Sequence, residues 1–178
     1  MIKEFEKRLL TSLILIPISI FFIIEGSIFF VFFLSILFLA ASYEWFIMSK
    51  KNNLLKFLGI IFFFFSFYSA FFLRDKLGAD FFLFIICICI FTDIGGYVFG
   101  KIFKGPKFSK ISPNKTYSGL LGSFILPFIT GLIYIKYYNF AGAYYIDKLN
   151  FLSDNKQLNL FFFIIFVSLI SQLGDLII

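Results

Sequence analysis

Three carboxylates stand inside otherwise apolar stretches of this sequence: Glu44, Asp93 and Asp175. An ionised side chain in hydrocarbon surroundings is costly, so each position is a candidate for function by default. Shortly after Asp93 comes the most basic segment of the chain, with Lys101, Lys104, Lys107, Lys110 and Lys115. Carboxylates gathered near a cationic loop suit chemistry on a phosphorylated substrate with a divalent metal. The chain has no histidine, which excludes any mechanism that needs an imidazole base or ligand from these residues. The plainer account is that each carboxylate pairs with a loop lysine or caps a helix. For Glu44, set between Tyr43 and Trp45 at an interfacial belt, that account is the better one; for Asp93 and Asp175 both readings stay open.

Asp93 has company. Asp93, Gly96, Tyr97 and Gly100 are spaced i, i+3, i+4 and i+7, so one helical stripe carries an acid, two glycines and an aromatic. Gly96-x-x-x-Gly100 reads equally as a close-packing face against another helix, and tight packing is one way to hold an acid in place. The basic loop then runs Lys107-Phe-Ser-Lys-Ile-Ser-Pro-Asn-Lys-Thr-Tyr-Ser-Gly119. It lacks the Gly-x4-Gly-Lys-Ser/Thr pattern of a P-loop. Another route to phosphate is present: hydroxyl donors on Ser112 and Thr116, point charges on Lys110 and Lys115, and a helix predicted to begin near Gly119. A solvated loop held at anionic lipid headgroups would explain the lysines but not the Ser-Pro-x-Lys-Thr order. Asn114-Lys-Thr116 matches a glycosylation acceptor, which is chance in a cytoplasmic loop. Cys87 and Cys89 point to different faces of a helix and predict neither a disulfide nor a metal pair.

The elements that must hold these residues follow from composition. Of 178 residues, 61% are hydrophobic and only 15% charged, and Phe alone fills 32 positions. A water-soluble domain could not bury that much apolar surface, and disorder requires the opposite composition. The predicted fold is all-α, a polytopic transmembrane bundle forming a single domain over residues 1–178. About 20 apolar residues cross a bilayer. Six spans are predicted: Leu9 to Ile24, Ser27 to Met48, Leu54 to Leu73, Phe81 to Phe103, Gly119 to Tyr138 and Leu158 to Ile178. Glu25-Gly26-Ser27 is a tight turn. Pro17 and Pro127 fall inside spans, where neighbouring helices can satisfy the freed carbonyls. The first span lacks a small-x-small cleavage site and is read as retained. Basic residues are unequally shared between alternate loops, 11 on the side of the N-terminus and the 101–117 loop against 5 on the other. The positive-inside rule therefore puts the N-terminus and that loop in the cytoplasm. Residues 139–159 read as an external connector.

Three segments together resemble the phosphatidate cytidylyltransferase (CDP-diacylglycerol synthase) family of bacterial membrane enzymes. They are Asp93-x-Gly-Gly-Tyr-x-x-Gly100, Ser112-Pro-Asn-Lys-Thr-Tyr-Ser-Gly119 followed by Gly122, and Ser171-Gln-Leu-Gly-Asp175-Leu. Glu44-Trp45 is similar to the family as well. Where Ser118 stands the family usually has Glu, and often another Glu where Ile178 stands. The family pattern continues beyond the Gly-Asp segment with a Lys-Arg pair, a Lys-Asp pair and a His-Gly-Gly-x-x-Asp-Arg run. The chain is accordingly expected to be the N-terminal two thirds of the family domain, and inactive when expressed alone. CTP-dependent formation of CDP-diacylglycerol by the purified chain would contradict that expectation.

The resemblance implies transfer of a cytidylyl group from CTP to phosphatidate, giving CDP-diacylglycerol and pyrophosphate in phospholipid synthesis at the bacterial inner membrane. It implies Mg2+ as cofactor, with Asp175 as a metal ligand and a partner carboxylate from the His-Gly-Gly segment. Lys115, with Ser112, Thr116 and Lys110, would contact phosphates, and Asp93 would line the polar cavity. Expected partners are CTP, phosphatidate and the lipid bilayer, with a homodimer admissible and no nucleic acid. Two rivals remain: a CTP- or ATP-dependent kinase of polyprenol- or phytol-type alcohols, and a small transporter or assembly subunit using Asp93 and Asp175 as a cation relay.

Overall fold

The computed structural model describes residues 2–49, 53–107, 115–138 and 156–177, the side chains of 2–5, 7–9, 135–138, 156–157 and 175–177 excepted. Six helices account for nearly all of them: α1 (Ile2–Glu25), α2 (Ser27–Met48), α3 (Asn53–Leu77), α4 (Ala79–Phe103), α5 (Tyr117–Tyr138) and α6 (Lys156–Ile177). The all-helical transmembrane architecture expected from composition is thus the one observed. Four of the six, α2 to α5, are long and apolar enough to cross a membrane. The apolar parts of α1 and α6 among the described residues, Leu10–Glu25 and Leu158–Gly174, are shorter. The helices fall into two compact units, Met1–Ala79 and Asp80–Ile178. Lys50, Lys51, Lys110, Ser112, Lys148 and most of the 139–159 connector lie outside the described residues.

The first unit is a three-helix hairpin series whose turns explain its sequence. Gly26 joins α1 to α2 with φ of 65°, a left-handed conformation that glycine adopts without steric cost. The same glycine leaves room for Arg74, whose guanidinium occupies the space that a Cβ on residue 26 would need. Arg74 reaches from the end of α3 to the last carbonyls of α1, donating from Nε to Ile23 O at 3.0 Å and from Nη2 to Ile24 O at 2.9 Å. It also lies 5.8 Å from the centroid of the Phe30 ring. One cation therefore satisfies two orphan carbonyls and meets the negative end of the α1 dipole. Arg74→Met is expected to lower stability by about 2–3 kcal/mol, since it removes two charge-assisted hydrogen bonds. Arg74→Lys should recover only part of that, because an ammonium cannot reproduce the fork. Unfolding by SDS, followed by helical circular dichroism, would measure both; equal midpoints for wild type and Arg74→Met would show that the clasp contributes nothing.

At the other end of this unit Trp45 Nε1 donates to Leu55 O at 3.1 Å, and Gly59 provides the gap into which the indole fits. Ser49 closes α2 by donating its own N–H to Trp45 O. Trp45 therefore has a structural employment at the α2–α3 turn, while the neighbouring Glu44 is exposed. In the run of four phenylalanines from Phe62 to Phe65, Phe62, Phe64 and Phe65 are each more than 60% exposed, as suits a surface turned to lipid.

The second unit brings α4, α5 and α6 together. Phe81 and Phe84 of α4 meet Phe163 of α6, and Phe84 also meets Tyr134 of α5 at 5.1 Å. Further along, Thr92 of α4 pairs with Ser168 of α6. Contacts therefore advance along α4 and α6 in the same direction, and the two helices run parallel. In α5 the order reverses, with Tyr134 at the aromatic end and Gly122 beside Gly95. The aromatic cluster, with Ile88, Leu160 and Ile164, is the buried core.

Candidate functional site

Past the aromatic core, toward the C-terminal ends of α4 and α6, the interior of the second unit turns polar. Thr92 Oγ1 donates to Ile88 O at 2.8 Å and pairs with Ser168 Oγ at 3.0 Å, both residues being buried. The Cys89 thiol is hydrogen-bonded to Ser171. Gln172 Nε2 donates to Ser123 Oγ, which in turn donates to Leu120 O at 2.7 Å. All three helices are thus tied by side-chain hydrogen bonds at one level, the arrangement that polar groups adopt where no water is available to satisfy them. Both cysteines are free.

Beyond this seam the backbones of α4 and α5 approach very closely. A Cβ on Gly95 would overlap Gly122 O, one on Gly122 would come within 2.6 Å of Gly95 O, and one on Gly119 within 2.7 Å of Gly96 O. Gly100 faces the Thr116 hydroxyl. The close-packing account of the α4 glycines therefore holds, and α5 is the helix they pack against. It takes up only part of the stripe. Asp93 and Tyr97 remain exposed, on the side of α4 that the glycines leave open.

The two ends of the basic loop are pinned together. Tyr117 N donates to Pro106 O at 3.1 Å, Lys107 and Thr116 form an antiparallel bridge, and Gly105 N donates to Ser118 Oγ at 3.4 Å. Thr116 is the N-cap of α5: its hydroxyl accepts from Gly119 N at 3.2 Å, and its carbonyl accepts from Leu120 N at 3.0 Å. The helix consequently starts at Tyr117, two residues before the predicted Gly119, because a threonine cap ends the extended segment there. Two of the first-turn N–H groups, those of Tyr117 and Gly119, are already spent inside the protein, so an anion at this end must rely chiefly on side chains. Ser118, where a glutamate is usual in the family it resembles, holds Gly105 and lies 3.1 Å from the Thr116 hydroxyl.

The predicted site residues are distributed as follows. Lys115 and Thr116 sit at the start of α5, beside Gly100 and the end of α4, which carries Lys101. Asp93 lies one turn beyond Cys89. Lys110 and Ser112 lie outside the described residues, as does the side chain of Asp175. The backbone of Asp175 belongs to α6, one turn beyond Ser171. Since Cys89 touches Ser171 and the two helices are parallel, positions 93 and 175 are each one turn further toward the same end. Sequence reasoning missed the seam residues Thr92, Ser123 and Ser168, and passed over Cys89. A signal existed on α6, where Ser168, Ser171, Gln172 and Asp175 repeat the i, i+3, i+4, i+7 spacing used for Asp93.

The donor set can be weighed against Mg2+. Among the described residues no three His, Cys, Asp or Glu side chains form a metal cluster. Mg2+ seldom uses an all-protein cage; it takes one or two carboxylates together with substrate phosphates and water. Two aspartate positions at one end of a helix trio whose ends also carry Lys101, Lys104, Lys107 and Lys115 fit that mode.

A helical membrane protein whose polar seam opens beside a cationic loop is the class that fold and site define. Residues 53–178 match the cytidylyltransferase family, and the chain belongs to that family. It is 31% identical over 101 residues to the phosphatidate cytidylyltransferase of Staphylococcus saprophyticus subsp. saprophyticus. That alignment covers 56% of this chain and 34% of the relative, so the chain matches about a third of the relative's length. No solved structure matches the chain.

Proposed function

We propose that this chain carries the nucleotide-phosphate and lipid-phosphate end of an enzyme that transfers a cytidylyl group from CTP to phosphatidate, releasing pyrophosphate. The observation that supports the reading most is the convergence of the three motif segments on one end of the α4–α5–α6 trio. Residues 93–100, 115–122 and 171–175 are remote in sequence, yet hydrogen bonds and glycine contacts tie their helices at adjoining levels. The phosphatidate cytidylyltransferase relative points the same way.

The nucleophile in this reaction is already an anion, so no general base is required, and the absence of histidine is no obstacle. What the residues must do is hold two mutually repelling phosphate groups in line and offset the charge that grows on the departing pyrophosphate. Lys115 and Lys110 supply point charges, and Ser112 and Thr116 supply hydroxyls, at a loop whose base is fixed by the Pro106–Tyr117 bond. Asp93 lines the cavity on α4. Asp175 would hold Mg2+, which when bound neutralises phosphate charge. The positive-inside rule would put the basic loop of residues 101–117 in the cytoplasm, where CTP is available.

The test uses a fusion of these residues to the His-Gly-Gly-x-x-Asp-Arg region of a family relative, assayed in membranes with phosphatidate. CTP labelled at the α-phosphate should yield labelled lipid, and CTP labelled at the γ-phosphate should not. The opposite labelling pattern would identify a lipid kinase, and no lipid label from either would overturn the enzyme reading.

A further inference from the structure

Tyr97 and Lys101 continue the line of Asp93 along α4 at i+4 and i+8. Tyr97 is 68% exposed. The Lys101 ammonium lies 5.5 Å from the centroid of its ring and donates to its hydroxyl at 3.3 Å. A lysine at the end of a membrane helix ordinarily extends its head toward water and headgroups. Lys101 instead folds back by one turn onto Tyr97. The glycines at 95, 96 and 100 face α5, so this pair belongs to the part of α4 that the glycine contact leaves open.

We propose that Tyr97 is a positioning residue that holds the Lys101 ammonium on the open side of α4 as a binding group for a substrate phosphate. The inference rests on the cytidylyl-transfer reading and adds to it a cation outside the Ser-Pro-x-Lys-Thr loop. An ammonium has three donors. Tyr97 engages one of them through its hydroxyl. The side chain is thereby ordered before the ligand arrives, which removes part of the entropy cost of binding. Lysine is suited to this task because it meets a phosphate as a compact point charge. The ligand chemistry is a phosphate group, carried either by the nucleotide or by the lipid.

The two sources are separated by titrating the full chain in neutral detergent micelles, calorimetrically, with CTP plus Mg2+ in one arm and with dihexanoyl phosphatidate in the other. Lys101→Met is expected to weaken one of the two ligands about tenfold, the loss of a single charged hydrogen-bonding partner. The arm that responds identifies the phosphate. Tyr97→Leu should produce a similar loss, and the double variant should be no weaker than either single one. Lys101→Arg should recover part of the affinity, and Tyr97→Phe, which loses the hydroxyl, should match Tyr97→Leu. Unchanged affinity for both ligands in Lys101→Met, or losses that multiply in the double variant, would overturn the proposal. If the wild-type chain binds neither ligand, the cytidylyl-transfer reading falls with it; if it binds and the variants match it, only the role of Tyr97 and Lys101 falls.

Discussion

Asp175→Asn is expected to reduce cytidylyl transfer by about a thousandfold in the fused enzyme described above, through loss of charge stabilisation worth several kcal/mol. The substitution keeps the size of the side chain and one of its oxygens but removes the negative charge that would hold Mg2+. Asp93→Asn, at a position assigned to the cavity lining, should cost far less, about tenfold, because its contribution is to substrate placement. Initial rates measured at saturating CTP over a range of Mg2+ concentrations separate the two. The Asp175 variant should demand more Mg2+ for its residual rate, and the Asp93 variant should not. Transfer by Asp175→Asn within about tenfold of wild type would remove Asp175 from the metal site.

The largest stability effect is expected from a single methyl group. Gly95→Ala places a Cβ against the carbonyl of Gly122, a backbone atom that cannot swing aside. The α4 and α5 helices must then separate, and the neighbouring contacts of Gly119 with Gly96 and of Gly122 with Phe99 loosen with them. Between helices in a bilayer no hydrophobic driving force makes good the loss, since lipid is as apolar as the side chains. A cost of at least about 2–3 kcal/mol follows, the upper part of the range for overpacking. Two glycines serve as controls. A Cβ on Gly96 would find its nearest neighbour at 3.7 Å, an ordinary contact, and one on Gly174 would find nothing within 4 Å. Unfolding midpoints in SDS should therefore fall for Gly95→Ala and stay near wild type for Gly96→Ala and Gly174→Ala. Equal midpoints for Gly95→Ala and Gly96→Ala would show that the close approach is dispensable.

Much of this was legible in the residues themselves. Apolar runs of bilayer length, separated by Gly26, Gly78 and polar loops, are enough to place six helices, because in lipid every backbone group must be satisfied within its own segment. The start of α5 shifted by two residues for a local reason, the capping hydroxyl of Thr116, which belongs to the same short motif that pointed to phosphate. The carboxylates could be found because charge in an apolar run is conspicuous. Alternating spans also put them at one membrane face; which helix faces carry them toward each other could not be read. Periodicity assigns Asp93 to a stripe of α4 and Asp175 to a stripe of α6, but it does not say which stripes face each other. That depended on contacts between residues far apart in the chain: Thr92 with Ser168, Ser123 with Gln172, Gly95 with Gly122. Serine, threonine and glutamine inside a span look unremarkable one at a time, since each can bond its own helix. Only when three helices meet do they become a seam that fixes which faces of α4, α5 and α6 pair. Local chemistry is written along the chain, whereas the pairing of helix faces is decided by shape, by where glycine lets two backbones touch and where a buried hydroxyl finds its partner.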